Sequence, residues 1–181
     1  FLARFVFAEE LRSDAQAVVG GLSAAGRHVY LLSGDHAGAV GRVGERLAID
    51  AAHGDLTPAG KLDFLRHLQG SGHHVAMVGD GLNDGPVLAG ANVSFAFGGG
   101  VPLAQARADF VIAGEQLGDI AYAHTLARRA MRVVRENLIW AALYNAACVP
   151  LAVAGWLPAW AAGLGMAASS FIVVANAARL A

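Results

Sequence analysis

The chain has 181 residues, of which 56% are hydrophobic and 15% charged, and its net charge is −1. This near-neutral balance gives no bulk positive field, so we expect no nucleic-acid partner. One cysteine, Cys148, excludes an internal disulfide framework, and the first residues lack the pattern of a secretory signal peptide. Most of the charge precedes Arg135, and from Asn137 onward the one charged side chain is Arg179. The shift predicts two physical environments, the second resembling lipid.

The first two-thirds of the chain alternates helical and strand patterns. Helices are predicted at 14–25, 37–47, 61–69, 84–91 and 103–107, and strands at 28–32, 74–78, 93–97 and 110–112. Strands that alternate with helices are typical of βαβ units in a parallel sheet with helices on both faces. The pattern therefore predicts an α/β, Rossmann-like fold.

Two of the predicted strands end in polar, glycine-containing turns. The candidate side chains there are Ser33 and Asp35 in SGD, and Asp80, Asn83 and Asp84 in GDGLND. Ligands of open parallel sheets bind outside the carboxyl ends of the strands, so we expect these side chains around one crevice. Crowded carboxylates repel each other unless a cation compensates, and their oxygens suit Mg²⁺. Lys61 is placed to give a positive charge to a phosphoryl group. The alternative for GDGLND is a polar turn whose aspartate caps a helix.

Two uncharged segments, 138–154 and 160–178, follow. Each approaches the roughly 20 residues that a helix needs to cross a bilayer. The connector at 155–158 contains glycine and proline, which favour a turn. Tryptophans lie near the segment ends, as interfacial aromatics do, at Trp140, Trp156 and Trp160. The pattern predicts a two-helix transmembrane hairpin.

Arginines flank this predicted hairpin. They are Arg128, Arg129, Arg132 and Arg135 before the first span and Arg179 after the second. Positively charged flanks face the cytoplasm in most membrane proteins, so both ends of the hairpin are predicted to be cytoplasmic. The alternative is an ordinary solvated helix face.

Several polar or sulfur-containing side chains interrupt the apolar spans. They are Tyr144, Asn145 and Cys148 in the first span and Met166, Ser169 and Ser170 in the second. Each set falls on one face of its helix, because its members are three or four residues apart or adjacent. Polar residues in a span are often functional, and sulfur ligands favour soft ions such as Cu(I). The alternative is that these small side chains pack helix against helix.

The strings of this sequence resemble, in order, the C-terminal part of a heavy-metal-transporting P-type ATPase of the copper(I) class. LRSDA, LLSGD, LTPAGK, MVGDGLNDGPVLAGA and ADFVI are similar to the second half of that family's haloacid-dehalogenase-like phosphorylation domain. ENLIWAALYN and MAASSFIVVANAARL are similar to its last two transmembrane helices. The resemblance implies a partial haloacid-dehalogenase-like domain at 1–118, a basic linking helix at 119–136 and two transmembrane helices at 137–181.

The resemblance also implies a role for each candidate residue. By this resemblance Mg²⁺ would be bound by Asp80 and Asp84. The phosphoryl group would be contacted by Ser33, Gly34 and Asp35, with Lys61 as their partner and Asn83 ordering the site. The transported ion would be bound by Tyr144, Asn145, Met166 and Ser170. The implied reaction is ATP hydrolysis through an aspartyl-phosphate, which drives a soft metal ion, Cu(I), out of the cytosol. The implied location is a bacterial inner membrane, with the phosphorylation domain in the cytoplasm.

The sequence also departs from the family. It contains neither the Asp-Lys-Thr-Gly string that carries the phosphorylated aspartate nor the Cys-Pro-Cys string of an earlier helix. We therefore expect the 181-residue chain to need the remaining domains of a longer pump and to be inactive alone. One alternative is a membrane-tethered phosphatase of the same fold, although the apolar FVF is followed by Ala8-Glu9-Glu10 and not by an Asp-x-Asp pair. A second alternative is a non-catalytic membrane subunit.

Overall fold

The computed structural model describes residues 11–49, 51–79, 82–99, 105–114 and 116–180, with the backbone alone at position 82. The chain divides into two compact units, Phe1–Ala121 and Tyr122–Ala181. The first unit alternates helices and strands, and the second is helical.

The described residues of the first unit form five strands and four short helices. In chain order they are α1 (Ala15–Ala24), β1 (Tyr30–Leu32), α2 (Ala37–Leu47), β2 (Ala51–His53), α3 (Pro58–Gly70), β3 (Ala76–Gly79), α4 (Gly85–Gly90), β4 (Val93–Phe97) and β5 (Phe110–Ile112). All strand pairs are parallel, in the orders β1-β2 and β3-β4-β5. The prediction of a parallel α/β fold is confirmed.

The strand pairing differs from the expected single sheet. Among the described strands, no hydrogen-bonded pair joins β1-β2 to β3-β4-β5. Strand β2 was not predicted, and β1 and β3 begin two residues later than the sequence suggested. Residues 103 and 104 of the predicted helix at 103–107 lie outside the described residues, and 106 and 107 form a turn.

Helix α3 packs against the β1-β2 sheet. Its N-terminus is fixed by Thr57, whose Oγ1 accepts from the backbone N–H of Gly60 at 3.1 Å, and by Pro58 in the first turn. The Phe64 ring lies 5.5 Å from the Tyr30 ring and 5.0 Å from the His53 ring, centroid to centroid. These aromatic contacts attach the middle of α3 to the first sheet.

The same helix also packs against α4, which follows the second sheet. A Cβ atom built on Gly90 would lie 3.0 Å from Cδ1 of Leu62, and Leu65 is only 1% exposed. Val87 and Leu88 of α4 are likewise buried, at 0% and 1% exposure. Helix α3 therefore contacts the first sheet and the helix that follows β3.

Strand β4 forms the centre of the three-stranded sheet. Residues 94–97 are all buried, as expected for a parallel strand covered on both faces. The one polar residue among them, Ser94, donates through Oγ to Asp109 Oδ2 at 2.8 Å, and its backbone N–H donates to the same oxygen at 2.8 Å. This pair satisfies the buried hydroxyl and ties β4 to the start of β5.

The second unit contains two long helices, α5 (Gly118–Val153), which begins at the end of the first unit, and α6 (Ala159–Ala177). Gly155, with φ of +76°, lies in the turn between them, and the backbone N–H of Trp156 donates to the carbonyl of Leu151 at 3.0 Å. Helix α5 runs unbroken through the expected boundary between residues 136 and 137.

The segment Ala159–Leu180 is 22 residues long and apolar enough to cross a membrane, and within the described ranges no other segment meets that criterion. This agrees with the second predicted span. The first predicted span, 138–154, lies in α5 except for its last residue. Its placement in a membrane stays a prediction.

Candidate functional site

The SGD turn after β1 is held by its own serine. The Ser33 backbone N–H donates to the carbonyl of His53 at 2.9 Å, which continues the pairing of β1 with β2. Its Oγ donates to Asp35 Oδ2 at 2.7 Å and accepts from the Asp35 backbone N–H at 3.2 Å. A Cβ atom built on Gly34 would lie 3.3 Å from the carbonyl oxygen of Leu56. The turn is thus fixed against the segment that leads into α3.

Gly54 and Asp55, which the sequence did not single out, hold this turn in place. Asp55, in the left-handed region at φ of +55°, donates its backbone N–H to the carbonyl of Asp35 at 2.7 Å. Its Oδ2 accepts from the backbone N–H of Ala37 at 3.1 Å, at the start of α2. A Cβ atom on Gly54 would lie 2.5 Å from Cα of Ala37, so only glycine fits there. The sequence signal that could have identified these two residues is the Gly54-Asp55 pair itself, which directly follows strand β2.

Lys61 and Asp84 form an ion pair between the first turns of α3 and the residue directly before α4. Lys61 Nζ lies 2.9 Å from Asp84 Oδ1, and the two side chains are only 14% and 13% exposed. The sequence singled out both residues, one for a phosphoryl group and one for a metal, without predicting that they touch. Their contact places a compensated positive and negative charge at the carboxyl end of a parallel strand.

The carboxylate of Asp84 stands over the last residue of β3. A Cβ atom built on Gly79 would lie 3.1 Å from Asp84 Oδ2 and 3.3 Å from its Cγ, so a side chain at 79 would crowd the carboxylate. Asp84 occupies the N-cap position of α4 but makes no side-chain capping hydrogen bond. The alternative of a helix-capping aspartate therefore lacks its defining bond, and this side chain is directed to Lys61 instead.

The other predicted residues of this site are less constrained. Asp80 lies outside the described residues, and Asn83 is exposed in the 3-10 turn that spans Leu82–Asp84. In the described part of the chain, no group of three or more His, Cys, Asp or Glu side chains could hold a metal ion. The backbone N–H of Leu56 donates to the carbonyl of Ser33 at 3.0 Å, so the SGD turn reaches the start of the helix that carries Lys61.

In the second unit, Tyr144 of α5 packs onto α6 at a glycine. A Cβ atom on Gly165 would lie 2.9 Å from the Tyr144 hydroxyl and 3.6 Å from its ring. Met166, the next residue of α6, is 65% exposed. Asn145 donates from Nδ2 to the carbonyl of Ala141 at 2.9 Å, so its amide bonds its own helix. Tyr144 therefore lies beside Gly165, the residue that precedes Met166, whereas the amide of Asn145 is bonded to the backbone of its own helix.

Polar bonds also join α5 and α6. Trp140 Nε1 donates to Ser169 Oγ at 3.1 Å, whereas Ser170 is exposed. The helix-packing alternative therefore holds for Ser169. Among the described residues, no hydrogen bond joins one of the four predicted ligands of the transported ion to another. Their assignment, to Tyr144, Asn145, Met166 and Ser170, stays a prediction.

A polar cluster closes the end of this helix pair. Asn176 Nδ2 donates to Asn137 Oδ1 at 3.0 Å and to Glu136 Oε2 at 3.2 Å. Arg179 Nη1 donates to Asn176 Oδ1 at 2.8 Å and lies 3.5 Å from Glu136 Oε2. The end of α6 is thereby fixed to the level of residues 136 and 137 in α5.

Comparison with known proteins gives consistent matches along the chain. Residues 1–92 match the haloacid dehalogenase-like hydrolase family. A cation-transporting P-type ATPase B of Mycobacterium tuberculosis is 43% identical over 178 residues, which cover 98% of this chain and 24% of that protein. A copper-exporting P-type ATPase of the same organism is 42% identical over 173 residues, which cover 96% of this chain and 23% of that protein.

A solved structure also matches both units. The crystal structure of a zinc-transporting PIB-type ATPase in the E2.Pi state aligns with a TM-score of 0.90 at 28% identity, covering 95% of this chain and 28% of that chain. The chain therefore spans about a quarter of the length of the curated relatives it matches.

Proposed function

The chain belongs to the haloacid dehalogenase-like hydrolase family, and from this premise we propose that it is part of an ATP-driven pump that exports a heavy-metal cation through an aspartyl-phosphate intermediate. The observation that carries the proposal is the Lys61–Asp84 ion pair, 2.9 Å long and largely buried, at the carboxyl end of a parallel strand. Similarity to a cation-transporting P-type ATPase over 98% of the chain supports it. So does the 22-residue apolar segment Ala159–Leu180 in the same polypeptide.

Lys61 is suited to stabilise a phosphoryl group without leaving Asp84. An ammonium group has three N–H donors, and Asp84 Oδ1 accepts one of them. Two donors remain for phosphoryl oxygens, on which negative charge is carried during transfer. We therefore assign Lys61 to charge stabilisation and the Asp84 pair to holding its ammonium in place.

The Ser33 hydroxyl has to change its hydrogen bond before it can donate to a phosphoryl oxygen. Its single proton is already donated to Asp35 Oδ2 at 2.7 Å. Rotation about the Cα–Cβ bond releases that proton, while the backbone bonds from Ser33 to His53 and from Leu56 to Ser33 keep the turn in place. We assign Ser33, Gly34 and Asp35 to contacting the phosphoryl group, with Asn83 ordering the neighbouring turn.

Magnesium fits the donors at the end of β3. Asp84 keeps one carboxylate oxygen, Oδ2, above a glycine that leaves room beside it, while Oδ1 is engaged by Lys61. Carboxylate oxygens are the ligands that Mg²⁺ prefers, so Asp84 together with Asp80 would hold the ion. When bound, Mg²⁺ neutralises charge on the phosphoryl oxygens of ATP and of the phosphorylated protein.

For the transported ion we propose Cu(I). The residues 138–178 carry no charged side chain, and Met166 offers a thioether, a soft donor. Tyr144, Asn145 and Ser170 complete the proposed set of ligands. A relative that is 42% identical is named a copper exporter, whereas the zinc-transporting structure is 28% identical.

The test of metal identity is stimulation of ATP hydrolysis by Cu(I) against Zn²⁺, in membranes that contain the product of the complete reading frame. We expect Cu(I) to stimulate hydrolysis and Met166→Leu to abolish most of that stimulation. Met131→Leu is the matched control, because Met131 is equally exposed, at 66%, but lies outside the proposed ligand set. Stimulation by Zn²⁺ alone, or equal Cu(I) responses in the two variants, would overturn the assignment.

The proposed location is a bacterial inner membrane with the first unit in the cytoplasm. The arginines before residue 136 and Arg179 after α6 support this orientation, because basic flanks favour the cytoplasmic side. Cleavage by a protease added to sealed right-side-out vesicles tests it. We expect cleavage sites in the first unit to be protected until the vesicles are opened.

A further inference from the structure

Helix α5 carries a face of exposed arginines directly before its apolar half. The arginine face consists of Arg128, Arg132 and Arg135, all exposed. At 3.6 residues per turn these three positions fall within an arc of roughly 60° around the helix. Arg129 lies about 100° away from Arg128 on the same turn and is not part of it.

No acidic group neutralises the arginine face in the described part of the chain. The ion pairs there are Lys61–Asp84 and Arg179–Glu136, and neither involves an arginine of the face. Glu136 adjoins Arg135 in sequence, but its Oε2 already accepts from Asn176 at 3.2 Å and lies 3.5 Å from Arg179. The three arginines thus have no ion-pair partner within 4 Å in the described ranges, and with Glu136 beside Arg132 on the helix the net charge of this surface is positive.

The arginine face lies at the depth of lipid headgroups. The 22 residues of Ala159–Leu180 extend about 33 Å as a helix, close to the roughly 30 Å of a hydrocarbon core. The bond between Asn176 and Asn137 aligns the two helices, and Leu180, four residues or about 6 Å beyond Asn176, is level with about residue 133 of α5. Arg132 therefore lies about 1.5 Å outside the end of the span and Arg135 about 3 Å inside it, so both long side chains reach a headgroup layer roughly 5–7 Å thick.

The third arginine lies at the outer edge of this layer. Arg128 is about 7.5 Å outside the level of residue 133 along the axis, where the headgroups end. This distance is shorter than the Debye length of about 8 Å at physiological ionic strength, so Arg128 still attracts anionic headgroups.

Most of the face is turned away from α6. Asn137 and Tyr144, which contact α6, lie about 120° or more around the helix from each of the three arginines, and Trp140 lies about 80° from Arg132. Glu136, which accepts from Asn176, lies about 40° from Arg132, so α6 approaches one edge of the face. Met131 and Leu138, each 66% exposed, flank the arginines on the other side. Charged and apolar side chains are thus adjacent on a surface that α6 does not cover, which suits a headgroup and its upper acyl chain.

We propose that the arginine face binds the phosphate groups of anionic phospholipids, such as phosphatidylglycerol, in the leaflet where α6 ends. Guanidinium groups form paired, planar hydrogen bonds with phosphate, which gives an arginine cluster more than a diffuse attraction. Continuity with an apolar span favours a lipid over an acidic protein as the occupant. The inference rests on the membrane placement made under the proposed function.

The experiment uses quenching of Trp140 by brominated lipids in reconstituted vesicles. Trp140 lies five residues beyond Arg135 and is 38% exposed. Trp156→Phe and Trp160→Phe remove the other two tryptophans of the chain at exposed positions. Brominated phosphatidylglycerol and brominated phosphatidylcholine are compared at equal mole fractions, which gives the relative affinity of the surrounding protein for each lipid.

We expect phosphatidylglycerol to be preferred by at least about fivefold, the factor that one arginine near an anionic headgroup supplies. The triple variant Arg128→Gln, Arg132→Gln, Arg135→Gln should lower the preference to about onefold. Its matched control removes the same charge from exposed arginines of the first unit, in Arg27→Gln, Arg46→Gln, Arg66→Gln, and should keep the full preference.

Two results would overturn the proposal. Equal quenching by the two lipids, or a preference that survives in the triple variant, removes the lipid site and leaves the membrane placement intact. Failure of either lipid to quench Trp140 shows that the chain does not enter the bilayer, and it removes both. Circular dichroism of each variant checks that α5 and α6 remain helical.

Discussion

Replacing Lys61 by methionine tests whether its ion pair holds the start of α3 to the end of β3. The two charged atoms are 2.9 Å apart, and the side chains are 14% and 13% exposed, so the pair lies mostly out of water. Methionine keeps an unbranched, apolar stem but removes the charge and the donors. Asp84 is then left partly buried without its cation.

The size of the loss follows from this burial. A hydrogen bond to a charged group contributes about 1.5–3 kcal/mol, and breaking a fully buried ion pair costs about 3–5 kcal/mol. Because both side chains keep some contact with water, we expect Lys61→Met to lower the local free energy of unfolding by about 2 kcal/mol. A double-mutant cycle with Asp84→Asn should give a coupling energy of about 1–2 kcal/mol.

Hydrogen exchange read by mass spectrometry is the appropriate assay, since it reports the opening of individual segments. Tryptophan fluorescence would not serve, because all three tryptophans lie in the second unit. Peptides from α3 and β3 should lose protection in Lys61→Met. Arg66→Met is the control: it removes a cation from an exposed position of the same helix and should change stability by less than about 0.5 kcal/mol. Coupling below about 0.5 kcal/mol would refute the reasoning, since the pair would then contribute nothing to the packing.

Three further predictions concern single positions and the chain as a whole. Gly54→Ala would place a Cβ atom 2.5 Å from a backbone atom, so we expect the free energy of unfolding, measured by hydrogen exchange, to fall by about 2 kcal/mol or more. The control is Gly41→Ala, in the middle of a helix with open space beside it, which should raise the free energy of unfolding by up to about 1 kcal/mol. Gly165→Ala would place a Cβ atom 2.9 Å from the Tyr144 hydroxyl, so it should displace that hydroxyl and weaken the Cu(I) affinity of the complete pump by about tenfold. Gly163→Ala, which has no atom within 4 Å of its Cβ position, should leave the affinity unchanged. Equal Cu(I) affinities of the two variants would remove Tyr144 from the metal site. The purified 181-residue chain should show no steady release of phosphate from ATP, because it lacks the Asp-Lys-Thr-Gly string; sustained turnover would contradict the assignment of the nucleophile to another segment.

The elements with clear local signals were predicted from the sequence. Helix α2 and strands β4 and β5 lie at the predicted residues, because each is bounded by turn residues and carries a regular apolar pattern. Strand β2 was missed because its three residues, Ala51–His53, form no bulky apolar run. Its existence depends on pairing with β1, a tertiary contact that local propensity does not contain.

The boundary expected at residues 136 and 137 shows what composition can and cannot locate. The sequence changes there from charged to apolar, and this change predicts a change of environment. It does not predict a break in the helix, because residues 119–149 contain no glycine or proline, and the backbone hydrogen bonds are indifferent to side-chain polarity. Pro150 lies near the C-terminal end of α5 and has no N–H to donate to the carbonyl of Ala146, while its own carbonyl accepts from the N–H of Ala154 at 2.9 Å.

Contacts between distant segments could not be predicted from local pattern. Asp14 accepts through Oδ2 from the backbone N–H of Gly118 at 2.8 Å, across 104 positions, and so fixes the first residue of α5 to the start of α1. The sequence assigned Asp84 to one edge of the fold and Lys61 to a phosphoryl group, but the choice of Lys61 as the partner of Asp84 depends on how α3 packs against α4. A motif therefore locates a site on the fold, and packing decides its internal pairing.

The direction of the Asp84 side chain is the strongest structural argument that GDGLND is more than a turn. An aspartate at the first position before a helix is stabilising when its carboxylate accepts from the helix N–H groups, which is worth about 1 kcal/mol. Asp84 occupies that position and does not make the bond. Its carboxylate instead lies over Gly79 and pairs with a lysine 23 positions earlier. A carboxylate that gives up its local bond for a cation 23 positions away is positioned for a purpose other than capping, and the phosphoryl chemistry proposed for Lys61 and Asp84 accounts for that arrangement.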